Sequence, residues 1–129
     1  MTKKLIQLAS LMALLAVVLG AFGAHGLKAL ITPEKIQVFE VGVRYHFYHS
    51  LAIGFIALAM SQFNSKWLER GAWMFLIGIL LFSGSLYLLA CRAPLDIEHW
   101  AWLGPITPIG GTCFIIGWAF IFIGVSKQN

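Results

Sequence analysis

The sequence predicts an all-α membrane protein with four transmembrane helices and one amphipathic interfacial helix between the first and second spans. Two observations carry this reading. Apolar residues make up 60% of the 129-residue chain and charged residues only 11%, whereas a water-soluble domain carries about 45–50% apolar and about 25% charged residues. Too little charge is present to cover a water-facing surface, so lipid is the expected solvent. The apolar residues also gather into four stretches that can each cross about 30 Å of hydrocarbon, a distance that takes roughly 20 helical residues. The length suits a single domain over 1–129.

The first span runs from Leu5 to Ala24 without a charge, directly after Lys3 and Lys4. Two lysines, an apolar run and the small residues of Ala21-Phe22-Gly23-Ala24 also fit a signal peptide. The apolar run exceeds a usual signal core, so we read it as a retained helix. The second span covers about 45–63 and holds His46 and His49; the third covers 72–91 and the fourth 103–125. Each is expected to be helical, because a spanning segment satisfies its own backbone hydrogen bonds. The strict alternation of barrel strands is absent.

Between the first two spans, Thr32-Pro33-Glu34 reads as a helix start: a capping hydroxyl, proline at the first position and an acid in the first turn. Ile36, Phe39 and Val43 recur on one face and Gln37, Glu40 and Arg44 on another. The spacing predicts an amphipathic helix over about 33–44 that lies at the interface and runs into the second span. The fourth span opens with Gly104-Pro105-Ile106-Thr107-Pro108-Ile109-Gly110-Gly111. Two readings are open there: a helix start with proline in its first turn, or a broken helix whose free amides face a cavity.

Four spans place the amino terminus, the Asn64–Gly71 loop and the carboxyl terminus on one side. Lys3, Lys4, Lys66, Arg70 and Lys127 fall on that side, and Lys28, Lys35, Arg44 and Arg92 on the other. The small excess, with the paired lysines at the start, places both termini in the cytoplasm. Trp67 and Trp73 flank one interface, and Tyr45, Tyr48, Trp100 and Trp102 flank the other, as an aromatic belt would. The nine basic residues stand mostly singly and make no nucleic-acid patch.

Small residues mark where helices approach in lipid. Ala16, Gly20 and Ala24 repeat every four residues on the first span. Gly71, Gly78 and Ser85 repeat every seven on the third, and Gly110, Gly117 and Gly124 every seven on the fourth. A period of seven keeps a stripe close to one face, so the third and fourth spans are expected to pack by these faces.

Four segments then form a set: Gly20-Ala21-Phe22-Gly23-Ala24-His25-Gly26-Leu27, Val43-Arg44-Tyr45-His46-Phe47-Tyr48-His49, Leu81-Phe82-Ser83-Gly84-Ser85-Leu86-Tyr87, and the proline-glycine run from Gly104 to Gly111. Together they resemble the small bacterial membrane proteins grouped as domain of unknown function 423. The resemblance spans nearly the whole chain and implies a four-span inner-membrane protein. It supplies no activity and no catalytic residue.

All four histidines fall on the side away from the termini. His49 lies five residues past Arg44, roughly 7 Å deeper along a helix rising 1.5 Å per residue, and an ionisable residue below the interface is a candidate site. Three readings of His25, Arg44, His46 and His49 are open. The histidines are neutral interface residues bonded to Tyr45, Tyr48, Ser83 or a backbone carbonyl. Alternatively, the four residues line a pocket for a small polar or anionic ligand. The third is a metal site, which would need His25 with Glu40 or Asp96 to complete its shell. Arg44 either reaches the lipid headgroups or pairs with Asp96 or Glu98. The two cysteines, Cys91 and Cys113, have no metal-ligand spacing. Ser83 and Ser85 sit in an apolar helix without a nucleophile elbow, and no phosphate loop or dinucleotide fingerprint occurs. We therefore assign no catalytic residue, metal or cofactor. The expected role is a structural or accessory subunit that contacts another membrane protein or its own copies. The alternative is an oligomeric transporter or channel for a small solute.

Overall fold

The computed structural model describes residues 1–127, and every regular element among them is helical. Helix α1 is Thr2–His25, followed by a single 3₁₀ turn, Gly26–Ala29. Helix α2 is Pro33–Ala59, α3 is Lys66–Gly78, a π-helical segment covers Ile79–Ser83, α4 is Gly84–Ala90 and α5 is Leu103–Ser126. The helical stretches Thr2–Ala29, Lys66–Ala90 and Leu103–Ser126 are long and apolar enough to cross a membrane. With 27 residues α2 is as long, but Arg44, His46, His49 and its tyrosines dilute its apolar character.

Local chemistry sets the ends of α2. Thr32 is the cap, its Oγ1 accepting from the Lys35 N–H at 3.4 Å, and Pro33 occupies the first turn, where no N–H is needed. The Glu34 carboxyl is held below the usual carboxylate range by its own backbone N–H and then by Thr32. The chain from Pro33 to Ala59 is unbroken, so the amphipathic stretch over 33–44 and the apolar stretch after it share one axis. The helix stops at Ala59, short of residue 63. In α5, Pro105 sits in the first turn and Pro108 lies inside the helix, which continues through it. Thr112 Oγ1 donates to the Pro108 carbonyl at 2.9 Å.

The four long helical stretches alternate in direction. A Cβ added to Gly20 would stand 3.1 Å from Val43 Cγ1, one on Gly23 2.8 Å from the Phe39 ring, and one on Gly54 3.6 Å from Ala9 Cβ. Sequence numbers rise on α1 as they fall on α2, so the pair is antiparallel. Helix α2 then packs on the third stretch: a Cβ on Gly42 would meet the Tyr87 ring at 2.9 Å, and one on Gly71 would meet Ile56 Cδ1 at 3.6 Å. The third stretch in turn packs on α5. Ile53, Ile56, Leu68 and Phe75 are fully buried where α2 and α3 meet the rest of the core. Large apolar side chains point outward, including Ile115 at 72% and Phe122 at 75% exposure; water would penalise such a surface and a bilayer does not.

The α3–α5 seam is the tightest. A Cβ on Gly71 would lie 3.2 Å from the Gly117 carbonyl oxygen, one on Gly117 3.3 Å from the Gly71 oxygen, and one on Gly78 3.2 Å from the Gly110 oxygen. At one end Gly124 faces Ser65 and Trp67, and at the other Ser85 Oγ and Thr107 Oγ1 share a 2.6 Å hydrogen bond. Ser85 also donates to the Phe82 carbonyl at 2.9 Å. The π-helical turn widens the third stretch here and brings the Phe82 backbone against Gly110: a Cβ there would collide with Phe82 N and stand 2.7 Å from its Cα.

Gly110→Ala therefore forces backbone apart and should cost about 1–3 kcal/mol of stability, as overpacking does. Gly84→Ala, where a Cβ meets nothing within 4 Å, should leave stability equal or raise it by up to about 1 kcal/mol through helix propensity. Denaturant unfolding of both variants in one detergent tests the contrast.

Candidate functional site

Three polar side chains of α2 turn inward. His46 and His49 are each 4% exposed and Ser50 is fully buried. His49 Nε2 lies 3.2 Å from Trp118 Nε1 on α5, and its Nδ1 lies 2.7 Å from the Tyr45 carbonyl oxygen. An indole N–H only donates and a carbonyl only accepts. His49 therefore carries its proton on Nδ1, accepts at Nε2 and is neutral. Its ring stacks on Phe114, with centroids 3.5 Å apart and planes 8° apart, and meets Phe75 edge-on at 5.0 Å. One imidazole thus joins α2 to α3 and α5, with both nitrogens engaged.

His46 is three residues earlier and serves another interface. Its Nδ1 lies 2.9 Å from the Tyr87 hydroxyl on α4, and its own carbonyl accepts from Ser50 Oγ at 2.7 Å. Its Nε2 is buried without a hydrogen-bond partner among the described residues. Ser83 Oγ, in the π-helical turn, is buried without a partner as well.

The four residues His25, Arg44, His46 and His49 are not brought together around one centre. His25 is exposed at the end of α1, with Nδ1 3.0 Å from the Ala21 carbonyl. Arg44 is exposed and lines a groove between α1 and α2. Asp96 and Glu98 are exposed in the loop before α5, where Asp96 adopts a left-handed conformation at φ 55°. Arg92 is the guanidinium that ties this loop, donating to the Glu98 carbonyl. No ion pair among the described residues joins Arg44 to Asp96 or Glu98. Among the described residues no three His, Cys, Asp or Glu side chains gather to hold a metal. Of the small residues, Ala16, Gly71, Gly78, Ser85, Gly110, Gly117 and Gly124 are buried, while Gly20 and Ala24 are half-buried beside α2.

His49 lies at the floor of a groove of about 790 Å³ between α2 and α5 that opens sideways. Tyr45, Tyr48 and Leu51 form one wall; Pro108, Gly111, Thr112, Ile115 and Trp118 form the other. The walls are aromatic and apolar, and the imidazole at the base is already saturated. Phe114 completes the floor beside His49; Trp118 bonds His49 from the wall, and Tyr87 bonds His46 at the separate α2–α4 seam. Sequence reasoning assigned them no role, because Trp118 lies 69 residues from His49 and no spacing rule links residues across two interhelical seams.

Trp118→Phe would leave His49 Nε2 unpaired, with an expected cost of about 1 kcal/mol, the scale measured for hydrogen bonds between membrane helices. Trp118→Phe and His49→Phe should also be non-additive by about 0.5–2 kcal/mol in a double-mutant cycle. Additive losses in detergent unfolding would show that the bond is not formed.

Comparison with known proteins adds the family. The profile described as "Protein of unknown function (DUF423)" matches residues 19–111. The chain is 43% identical over 128 residues to the UPF0382 membrane protein YwdK of Bacillus subtilis, covering 97% of this chain and 98% of the relative. It is 40% identical to a UPF0382 membrane protein of Haemophilus influenzae, covering 100% and 98%. Identity to the UPF0382 inner membrane protein YgdD of Escherichia coli is 37%, covering 86% and 80%. No solved structure matches the chain. The matched segment takes in Arg44, His46, His49, the π-helical turn and Gly110, and the chain belongs to this family of membrane proteins of unknown function.

Proposed function

We propose that the protein is a four-span inner-membrane subunit without catalytic chemistry. Its α2–α5 groove seats an apolar transmembrane helix of another membrane protein. The observation that carries this reading is the groove itself: it opens sideways, and the one ionisable group at its floor has both nitrogens engaged. A catalytic or conducting group must be free to exchange a proton or bind a solute, and His49 is not. The α5 wall instead offers Pro108, Gly111, Thr112 and Ile115 at helical spacing over about 10 Å, by 1.5 Å per residue. Small residues along such a wall let a neighbouring backbone approach.

Support for a spanning α2 comes from its partners. It runs antiparallel between α1 and the third helical stretch, its His46, His49 and Ser50 face inward, and Leu51, Phe55 and Leu58 face outward at 55%, 57% and 63% exposure. At 27 residues it measures about 40 Å by the helical rise, which suits a span whose first turns extend along the interface. The small excess of lysine and arginine on the terminal side, with Lys3 and Lys4 paired at the start, supports cytoplasmic termini.

Two measurements test the reading. With Cys91 and Cys113 replaced, Lys28→Cys should be labelled on intact cells by a membrane-impermeant thiol reagent, and Ser65→Cys should be labelled only after lysis; the reverse pattern inverts the topology, and equal labelling removes the α2 span. For the groove, a photocrosslinker at Ile115 should capture one membrane-spanning segment of a partner that co-purifies at fixed stoichiometry. Gly111→Trp should abolish that complex while leaving the fold, since a Cβ at Gly111 meets the Phe82 ring only at 3.7 Å. Crosslinks to a second copy, or none, would overturn the accessory role.

A further inference from the structure

The seam between α1 and α2 carries a second recess, on the other side of the α2 ridge. Its upper stretch, about 320 Å³, is bordered by Ala16, Gly20 and Ala21 of α1 and by Val43, Arg44 and Tyr48 of α2. Its lower stretch, about 460 Å³, is bordered by Ala9, Ala13, Leu51 and Phe55 among others. The antiparallel register that sets Gly20 beside Val43 and Ala9 beside Gly54 places the two stretches end to end. From Ala21 to Ile6 the seam covers about 22 Å by the helical rise, and its part from Ala21 to Ala13, about 12 Å, fits within one leaflet of the ~30 Å hydrocarbon thickness. The lining is apolar apart from Tyr48 and from Ser10 and Ser50, whose hydroxyls donate to the Ile6 and His46 carbonyls, and one cation, the exposed Arg44, stands at its mouth. Glu40 precedes it by one helical turn, and no ion pair joins the two among the described residues. Tyr48 follows one turn deeper, and long helical side chains lean toward their helix N-terminus, here toward the Arg44 end.

We propose that this seam is a binding site for a phospholipid with a net negative headgroup, its phosphate on the Arg44 guanidinium and one acyl chain along Ala21, Ala16 and Ala13. Guanidinium meets phosphate through paired, charge-assisted hydrogen bonds. A shallow groove of small residues accepts a single chain. The site rests on α2 crossing the bilayer, and it shares only Tyr48 and Leu51 with the α2–α5 groove.

Native mass spectrometry of the full chain, titrated with phosphatidylglycerol and with phosphatidylethanolamine, tests it. One phosphatidylglycerol should bind with a preference of roughly fivefold, the factor equivalent to one interfacial cation. Arg44→Gln should remove the preference and keep residual binding; Ala21→Phe, at an exposed position, should weaken both lipids; Lys35→Gln should change neither. Equal binding of the two lipids, a preference that survives Arg44→Gln, or a second copy in place of the lipid would overturn the site. Leu51→Cys separates this failure from failure of the four-span reading: shielded from a water-soluble thiol reagent, it leaves α2 in the bilayer; freely labelled, it removes α2 from it.

Discussion

Helices already in lipid gain nothing from hiding apolar side chains from one another, since the acyl chains they displace are equally apolar. Attraction between them comes from close contact, and close contact needs positions where no side chain intervenes. In this protein that constraint acts most strongly between α3 and α5. Gly71 and Gly117 approach each other's carbonyl oxygens, Gly78 approaches that of Gly110, and Gly110 admits the Phe82 backbone. The π-helical turn belongs to the same constraint. An extra residue in one turn swells the helix locally, and the swelling fits because the facing residue has no side chain. The Ser85–Thr107 bond closes the end of the seam where the helices no longer meet through glycine.

The polar residues follow from the same solvent. A buried polar group in an apolar medium needs a partner, and α2, the least apolar long helix, carries the most of them. It lies between α1 and the third helical stretch, where partners are within reach. His49 finds Trp118 and the Tyr45 carbonyl, Ser50 finds the His46 carbonyl, and His46 finds Tyr87. These bonds fix the rotation of α2, because turning the helix would carry its histidines toward lipid. The fixed rotation in turn puts Tyr48, Leu51, Phe55 and Leu58 on the outside.

Much of the architecture is legible without coordinates, and its legibility has physical grounds. A membrane leaves the chain few choices of backbone, so the apolar runs around residues 5–24, 72–91 and 103–125 locate the three most apolar helices within a few residues. Thr32-Pro33-Glu34 marks a helix start because each residue type solves a specific problem of the first turn. Period-seven glycines are visible as spacing, and the α3–α5 seam runs along them. The α2–α5 groove was not legible. It depends on His49 meeting Trp118 and Phe114 across a seam, and two helices far apart in sequence share no periodicity that reveals which faces meet. Arg44 shows the same limit: its charge is plain from sequence, but its place at the mouth of the α1–α2 seam is a matter of helix rotation. The tie within the last loop falls to Arg92, whose nearness to Glu98 is set by the turn through Asp96.

Helix α2 therefore has two tasks that its composition must satisfy together. Its inner face is polar enough to lock rotation, while its outer face forms a ridge that divides the lateral surface. Tyr48 borders the recess on each side of that ridge, and Leu51 borders the α2–α5 groove and the lower α1–α2 seam. A helix with an apolar inner face could pack equally well at several rotations, and neither groove would then have a defined shape. The buried histidines are better understood as the device that gives the outer surface one form. Chemistry at His49 itself would require breaking the bonds that hold that form in place.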